Sequence, residues 1–225
     1  MSGADLRPDL RHVDTWLFDL DNTLYPLDSG MAEVVSDRIT DFMVELTGLP
    51  RQAARDLQKH YLAEEGLTLS GLLIHHGVDP DAYHARFHDL PLEALARDES
   101  LKDALARLPG RRLIFTNADD IHAARVLAHL GLADLFESVF HIGSAHFAPK
   151  PSPLAFERIV AAHAIAPRTT AFFEDAERNL APAAALGMTT VLVGDHAAAS
   201  TAAFVDYRTA TLAPFLAAAR LRETP

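Results

Sequence analysis

Five brief apolar runs constrain the fold more than any other feature of this chain: Thr15 to Leu20, Arg112 to Asn117, Ser138 to Ile142, Thr170 to Glu174 and Thr189 to Val193. Each is rich in Val, Ile, Leu, Phe or Trp and is followed by polar or turn residues, the pattern of a buried strand. Helical patterns separate the last four. Asp120 to Leu130 places Ile121, Ala124, Leu127 and Ala128 on one face, with Gly131 where a helix-ending glycine belongs. Ser152-Pro153 reads as an N-cap followed by proline in the first turn, opening a helix through Ala164. Ala176 to Leu186, closed by Gly187, is a third helix, and Pro182 inside it implies a kink. Strands alternating with helices predict a parallel α/β sheet, in which ligands sit at the carboxyl ends of the strands.

The stretch from about Pro26 to Gly110 breaks that rhythm. Met31, Val34, Val35, Phe42, Met43 and Leu46 follow helical spacing up to Gly48; Ala54, Leu57, Tyr61 and Leu62 suggest a second helix. Leu69, Leu72 and Leu73 suggest a third, and Tyr83 with Phe87 a shorter fourth. A plain crossover between parallel strands needs only about a dozen residues, so this much longer one is read as an inserted helical domain. Residues 1–25 plus 109–225 then form the α/β core and 26–108 the insertion, joined near Tyr25 to Asp28 and Pro109-Gly110, where hinges are expected. The Ala-rich tail from Ala197 is expected to be helical.

Composition narrows the function classes. The 225 residues carry a formal net charge of −11 and no cysteine. Disulfides, thiolate metal sites and cysteine nucleophiles are excluded. The longest basic patch is Arg111-Arg112, which argues against a nucleic-acid polymer as partner. No stretch reaches the about 18 apolar residues of a membrane span, and the opening MSGADLRPDLRHVD has no apolar signal region. A cytoplasmic protein is expected, and nothing in the sequence sets an oligomeric state.

Four strand ends carry chemistry. In FDLDNTLYP, Phe18 to Pro26, Asp19 and Asp21 stand two residues apart at the end of the first strand. Such a pair can divide labour between nucleophile or metal ligand and general acid/base; alternatively, Asp21-Asn22-Thr23 simply caps a turn. In IFTNADD, Thr116 and Asn117 precede a helix start, either an anion cradle or an ordinary cap. In APKPSP, Lys150 lies between two prolines that stiffen its presentation, although a solvated lysine is the default. In FFEDAERN, Glu174 and Asp175 follow a buried run; oxygen donors without cysteine suit a hard cation, Mg²⁺ above all, while helix capping explains one acid better than two. Like charges about 4 Å apart repel by roughly 4 kcal/mol at an effective dielectric near 20, so carboxylates brought together need a dication and Lys150 to compensate them. The 12 histidines make chance pairs expected, so His84 and His88 (spaced i, i+4), His75-His76 and Asp195-His196 are read as packing, helix-end or loop residues.

The order Asp-x-Asp-x-Thr, hydrophobic-Thr-Asn, Lys-Pro and Glu-Asp-x-x-x-Asn resembles the haloacid dehalogenase superfamily of phosphohydrolases. The resemblance covers about Val13 to Tyr25 and Arg112 to Val193, and the local wording DLDNTLYP with FFEDAERN is most similar to its pyrimidine 5′-nucleotidase branch. It implies a Rossmann-like parallel-sheet core with an all-helical type 1 cap inserted. It implies Asp19 as the nucleophile that becomes phosphoaspartyl and Asp21 as the acid that protonates the leaving alcohol and then accepts a proton from water. Thr116, helped by Asn117, would bind phosphoryl oxygens, and Lys150 would tie nucleophile to phosphate. Asp19, Asp175 and the Asp21 main-chain carbonyl would ligate Mg²⁺, with Glu174 a ligand or its neighbour. Dehalogenases of the family lack the second aspartate, so Asp21 favours phosphoryl transfer. The implied activity is Mg²⁺-dependent hydrolysis of a small phosphorylated metabolite such as a nucleoside 5′-monophosphate. A phosphosugar mutase, a phosphoglycolate-type phosphatase and a non-catalytic binding protein on the same scaffold are the alternatives.

Overall fold

The computed structural model describes residues 7–223; the first six residues of the stretch weighed as a signal and the last two of the tail lie outside them. Six parallel strands form one sheet: β1 (Thr15–Phe18), β2 (Arg111–Phe115), β3 (Ser138–Phe140), β4 (Thr170–Glu174), β5 (Thr189–Val193) and β6 (Tyr207–Thr209). Their spatial order is β3-β2-β1-β4-β5-β6. Phe18 of β1 pairs with Ile114 on one side and Phe173 on the other. The order therefore reverses at β1, and the carboxyl end of β1 opens on the crevice where such sheets bind ligands. This is a Rossmann-like α/β fold.

Side chains alternate across the sheet with the period of two that strands impose. Trp16, Phe18, Ile114, Phe173 and Val191 enter one core, and Leu17, Leu113, Phe115, Phe172 and Leu192 enter the other. Stacking of Phe18 on Phe173, with ring centroids 4.6 Å apart, ties the two central strands directly beneath the strand ends.

Within 26–108 the expected helices form: α1 (Met31–Thr47), α2 (Arg51–Glu64), α3 (Thr68–His76) and α4 (Pro80–His84), the last continued by a 3₁₀ turn through Phe87. A further helix, α5 (Glu99–Ala106), is started by the Asp98 carboxylate, which accepts from Ser100 N and Leu101 N. It packs against α9 (Leu212–Ala218) of the α/β part. The remaining helices are α6 (Asp120–Leu130), α7 (Pro153–His163) and α8 (Glu177–Leu186), and α8 runs on through Pro182.

Two expectations are corrected. The tail is not one helix: a 3₁₀ segment at Asp195–Ala199 and strand β6 precede α9. Thr190 Oγ1 donates to Phe204 O and accepts from Asp206 N, which seats the chain against the edge of β5. Three polar residues, Tyr207 to Thr209, then pair where no apolar run announces a strand. The buried face of α6 is also turned from the one expected. His122, Ala123, Val126, Leu127 and Leu130 are buried, whereas Ile121 is 45% exposed and Ala124 and Ala128 face outward. Capping by Asp119, which accepts from His122 N at 2.7 Å, sets the helix in that rotation.

Candidate active site

Asp19 stands one residue beyond β1, its N–H donating to Phe173 O at 2.9 Å. The chain then turns sharply: Thr23 N and Leu24 N both donate to Leu20 O, and Asn22 adopts φ 64°. That left-handed residue, which asparagine tolerates better than most, keeps Asp21 at the strand mouth instead of letting the chain run away from the sheet.

Lys150 is the centre of the site. It is 1% exposed, and its three N–H donors are fully used: Nζ reaches Asp19 Oδ1 at 2.6 Å, Glu174 Oε2 at 2.7 Å and Phe115 O at 2.7 Å. The rings of Phe115 and Phe172 lie 5.1 and 5.4 Å from it. Asn117 holds the lysine's main chain from both sides, accepting from Lys150 N at 2.8 Å and donating to Lys150 O at 3.1 Å. Thr116 is buried beside it at the end of β2, with its Oγ1 accepting from Ala118 N at 3.0 Å. Residues far apart in sequence thus converge through the strand order.

A carboxylate oxygen from each of Asp19, Glu174 and Asp175 lies within 4.8 Å of the others. Burial pushes Asp19 up to about 7, and the charge of Glu174 adds to the rise despite Lys150. Burial likewise raises Glu174 to about 7 and Asp175 to about 6. Burial alone would discharge Lys150, but Asp19 and Glu174 outweigh it and hold the ammonium above the ordinary lysine value. One ammonium does not balance three carboxylates. A hard divalent cation fits this all-oxygen donor set.

Asp21 has a different setting. Its Oδ1 accepts from the Tyr25 hydroxyl at 2.6 Å and faces His122 Nε2 at 2.9 Å. Burial works against its charge, yet the hydrogen bond and charge of His122, with the Tyr25 hydroxyl, keep its pKa below the ordinary value. His122 was not singled out by the sequence reading. The signal available was its place three residues after the capping Asp119, but the expected helix face pointed elsewhere.

His84 and His88 both reach across to Asp119, at 3.7 and 2.6 Å. His196, in the 3₁₀ segment after β5, lies 2.7 Å from the Asp175 carbonyl. Beside Asp21 opens a cavity of about 360 Å³. The inserted helices line it with Met31, Val35, Ile39, Tyr83, His84 and Phe87, and the core contributes Asn117, Asp119 and His122.

The family model for haloacid dehalogenase-like hydrolases matches residues 13–187. The chain belongs to this family. Haloacid dehalogenase-like hydrolases of known structure share the architecture. A HAD phosphatase from Thermococcus onnurineus superposes with a TM-score of 0.62 at 18% identity, covering 88% of this chain and 94% of that one. YfnB from Bacillus subtilis, in a structure bound to magnesium, gives 0.55 at 18% identity, covering 87% and 93%. The L-2-haloacid dehalogenase from Xanthobacter autotrophicus gives 0.54 at 17% identity, covering 91% and 97%. In sequence, Phosphate metabolism protein 8 of Saccharomyces cerevisiae (strain ATCC 204508 / S288c) is 29% identical over 193 residues, or 79% of this chain. The chain spans only 60% of the length of that relative. Among the described residues, no helix is long and apolar enough to cross a membrane.

Proposed function

We propose that this hydrolase is a Mg²⁺-dependent cytoplasmic phosphatase that cleaves small phosphomonoesters through a phosphoaspartyl intermediate on Asp19, with pyrimidine nucleoside 5′-monophosphates the leading class. The observation that carries the reading is Asp21, set beside the nucleophile by one tight turn and held by two hydrogen bonds. A halide leaves carbon without needing a proton; an alkoxide leaving phosphorus needs one. An acid/base so placed therefore favours oxygen chemistry over dehalogenation.

In the first step an Asp19 carboxylate oxygen attacks phosphorus, the bond to the leaving oxygen breaks, and Asp21 gives that oxygen its proton. Asp21 is ionised in the free protein; an approaching phosphate anion raises its pKa by like-charge repulsion and lets it arrive protonated. In the second step water attacks phosphorus, Asp21 accepts the water proton, and the bond to Asp19 breaks. Lys150 holds the Asp19 carboxylate in place, and Glu174, tied to Lys150 Nζ and to Ala176 N, holds the lysine. The Thr116 hydroxyl would take a phosphoryl oxygen, with Asn117 fixing the lysine's main chain. Asp19, Asp175 and the Asp21 carbonyl, with Glu174 beside them, would hold Mg²⁺, which supplies positive charge to the transferring phosphoryl group. Splitting an intrinsically very slow hydrolysis into two displacements is the advantage of the carboxylate nucleophile.

Helices from residues 26–108 serve as the cap: their apolar side chains over Asp21 suit a flat, partly apolar leaving group such as a nucleoside. Phosphate release from a panel of nucleotides, sugar phosphates and phosphoglycolate in Mg²⁺ tests the proposal. Asp19→Asn should abolish turnover; release that survives it refutes Asp19 as nucleophile. Phosphate returned to a hexose rather than to water would identify a mutase instead.

A further inference from the structure

Asp21 is held by two donors of unequal standing. Tyr25 lies four residues away, so its bond closes the turn on itself, with its ring buried in the core. His122 comes from α6, 101 positions away in sequence, and ties the turn to an element anchored on the neighbouring strand. Its side chain is 7% exposed and its Nδ1 has no hydrogen-bond partner, which leaves Nε2 as the nitrogen that serves Asp21. Both donors act on Oδ1. We propose that His122 is the positioning residue for the acid/base of this enzyme: by clamping Asp21 Oδ1 together with Tyr25, it leaves Oδ2 as the oxygen that carries the proton, aimed at the leaving group.

The clamp itself sits on a braced helix start. Asp119 caps α6 through His122 N and accepts from the cap residue His88 through its other oxygen, at 2.6 Å. The ring that orients Asp21 therefore stands at the point where core and cap meet. Holding a catalytic carboxyl in its working rotamer matters because misplacement of about 1 Å can cost on the order of 100-fold in rate.

This assignment rests on the phosphatase reading, and the test separates the two. Wild type, His122→Ala, His122→Gln, Asp21→Asn and the double variant Asp21→Asn/His122→Ala are assayed in Mg²⁺ on p-nitrophenyl phosphate, whose leaving group needs little protonation, and on glycerol phosphate, whose leaving group needs it fully. His122→Ala should lose ~10- to 100-fold in kcat/KM on glycerol phosphate, which reports the leaving-group step alone, part of the about 10²- to 10⁴-fold that acid–base catalysis supplies. The loss on p-nitrophenyl phosphate should be several-fold smaller, and His122→Gln, which keeps a donor, should recover part of it. In the Asp21→Asn background, His122→Ala should change nothing further. Equal losses on the two esters, or a full additional loss in the double variant, would overturn the assignment. Wild type inactive on both esters would instead overturn the phosphatase reading, and the assignment with it. If His122→Ala lacks a cooperative thermal transition, His122→Asn carries the same comparison.

Discussion

Replacing Lys150 by methionine removes the charge of the site while nearly keeping its volume, so the effect is electrostatic rather than a cavity. Three acceptors lose their donor at once: Asp19 Oδ1, Glu174 Oε2 and Phe115 O. A buried acceptor left unsatisfied costs about 1–3 kcal/mol. The two carboxylates keep other partners, Thr23 Oγ1 on Asp19 Oδ2 and Ala176 N on Glu174 Oε1, which places the sum toward the lower end. Breaking a buried ion pair from one side typically costs about 3–5 kcal/mol. For a chain of this size each kcal/mol moves Tm by about 2–4 °C, so a fall of roughly 10 °C is expected in metal-free protein near neutral pH.

The cost should depend on pH in a definite direction. Lys150 has a folded pKa above its ordinary value, so its contribution is fully present across the neutral range and is lost only at high pH. Asp19 and Glu174 have folded values of about 7, above their ordinary 3.8 and 4.5. Without the lysine both rise further, and both take up protons as pH falls. The difference between wild type and Lys150→Met should therefore be largest at about pH 8 and shrink at about pH 5. Urea unfolding followed by circular dichroism in EDTA, at both pH values, measures it. A variant as stable as wild type at the higher pH, or an equal deficit at both, would refute the reasoning.

Metal binding should depend on acidity in the same direction. Asp19, Glu174 and Asp175 must lose protons held up to about 7, 7 and 6 before they can coordinate, so saturating Mg²⁺ should raise Tm more at about pH 8 than at about pH 5; thermal melts with and without Mg²⁺ decide it. In metal-free wild type the same three groups make stability fall as pH rises from their ordinary values through about 7, visible in a melt series across that range. Gly110→Ala should destabilise the start of the β1–β2 ladder. Its φ is +85° and an added Cβ would lie 2.1 Å from Asp14 O, which also accepts from Arg111 N at 2.9 Å. The left-handed conformation alone costs about 1–2 kcal/mol for alanine, so a Tm loss of at least about 2 °C is expected before the clash with Asp14 O is added.

The strands that carry the site were legible because buried parallel strands need apolar runs and their ends need polar residues. All five expected strands exist, and Thr170–Glu174 and Thr189–Val193 match to the residue. Asp19 and Glu174 meet at Lys150, with Asp175 beside them, although Lys150 stands in the loop after β3 rather than at a strand end. β6 was not legible, since an edge strand of three polar residues buries little and leaves no apolar signature. α5 escaped because its eight residues bury only Leu101, Ala104 and Leu105, too few to mark a helical period. The rotation of α6 escaped for a related reason. A capped first turn, with a histidine facing a carboxylate on the turn after β1, overrides the face that Ile121, Ala124 and Ala128 suggest. His122 is invisible to periodicity because a buried polar side chain looks like a break in an apolar stripe.

The electrostatic economy of the site bears on why such an arrangement persists. Three carboxylates are gathered around one ammonium, all in a setting where burial penalises each charge. As a means of stabilising a fold this is poor, because apolar side chains of the same volume would do as well or better. The surrounding structure nonetheless commits hydrogen-bonding groups to it: Phe115 O to the lysine, Ala176 N to Glu174, and both polar atoms of the Asn117 side-chain amide to the Lys150 backbone. Hydrogen bonds that hold unfavourable charges in fixed positions make sense when the charge is answered during turnover, by a dication at the carboxylates and a phosphoryl group beside the lysine. Asp21 is kept apart from that set by its own donors, with a depressed pKa where Asp19 and its neighbours are raised. Two aspartates separated by one residue thus receive opposite environments from the tertiary structure, the contrast that the proposed division into nucleophile and acid/base requires.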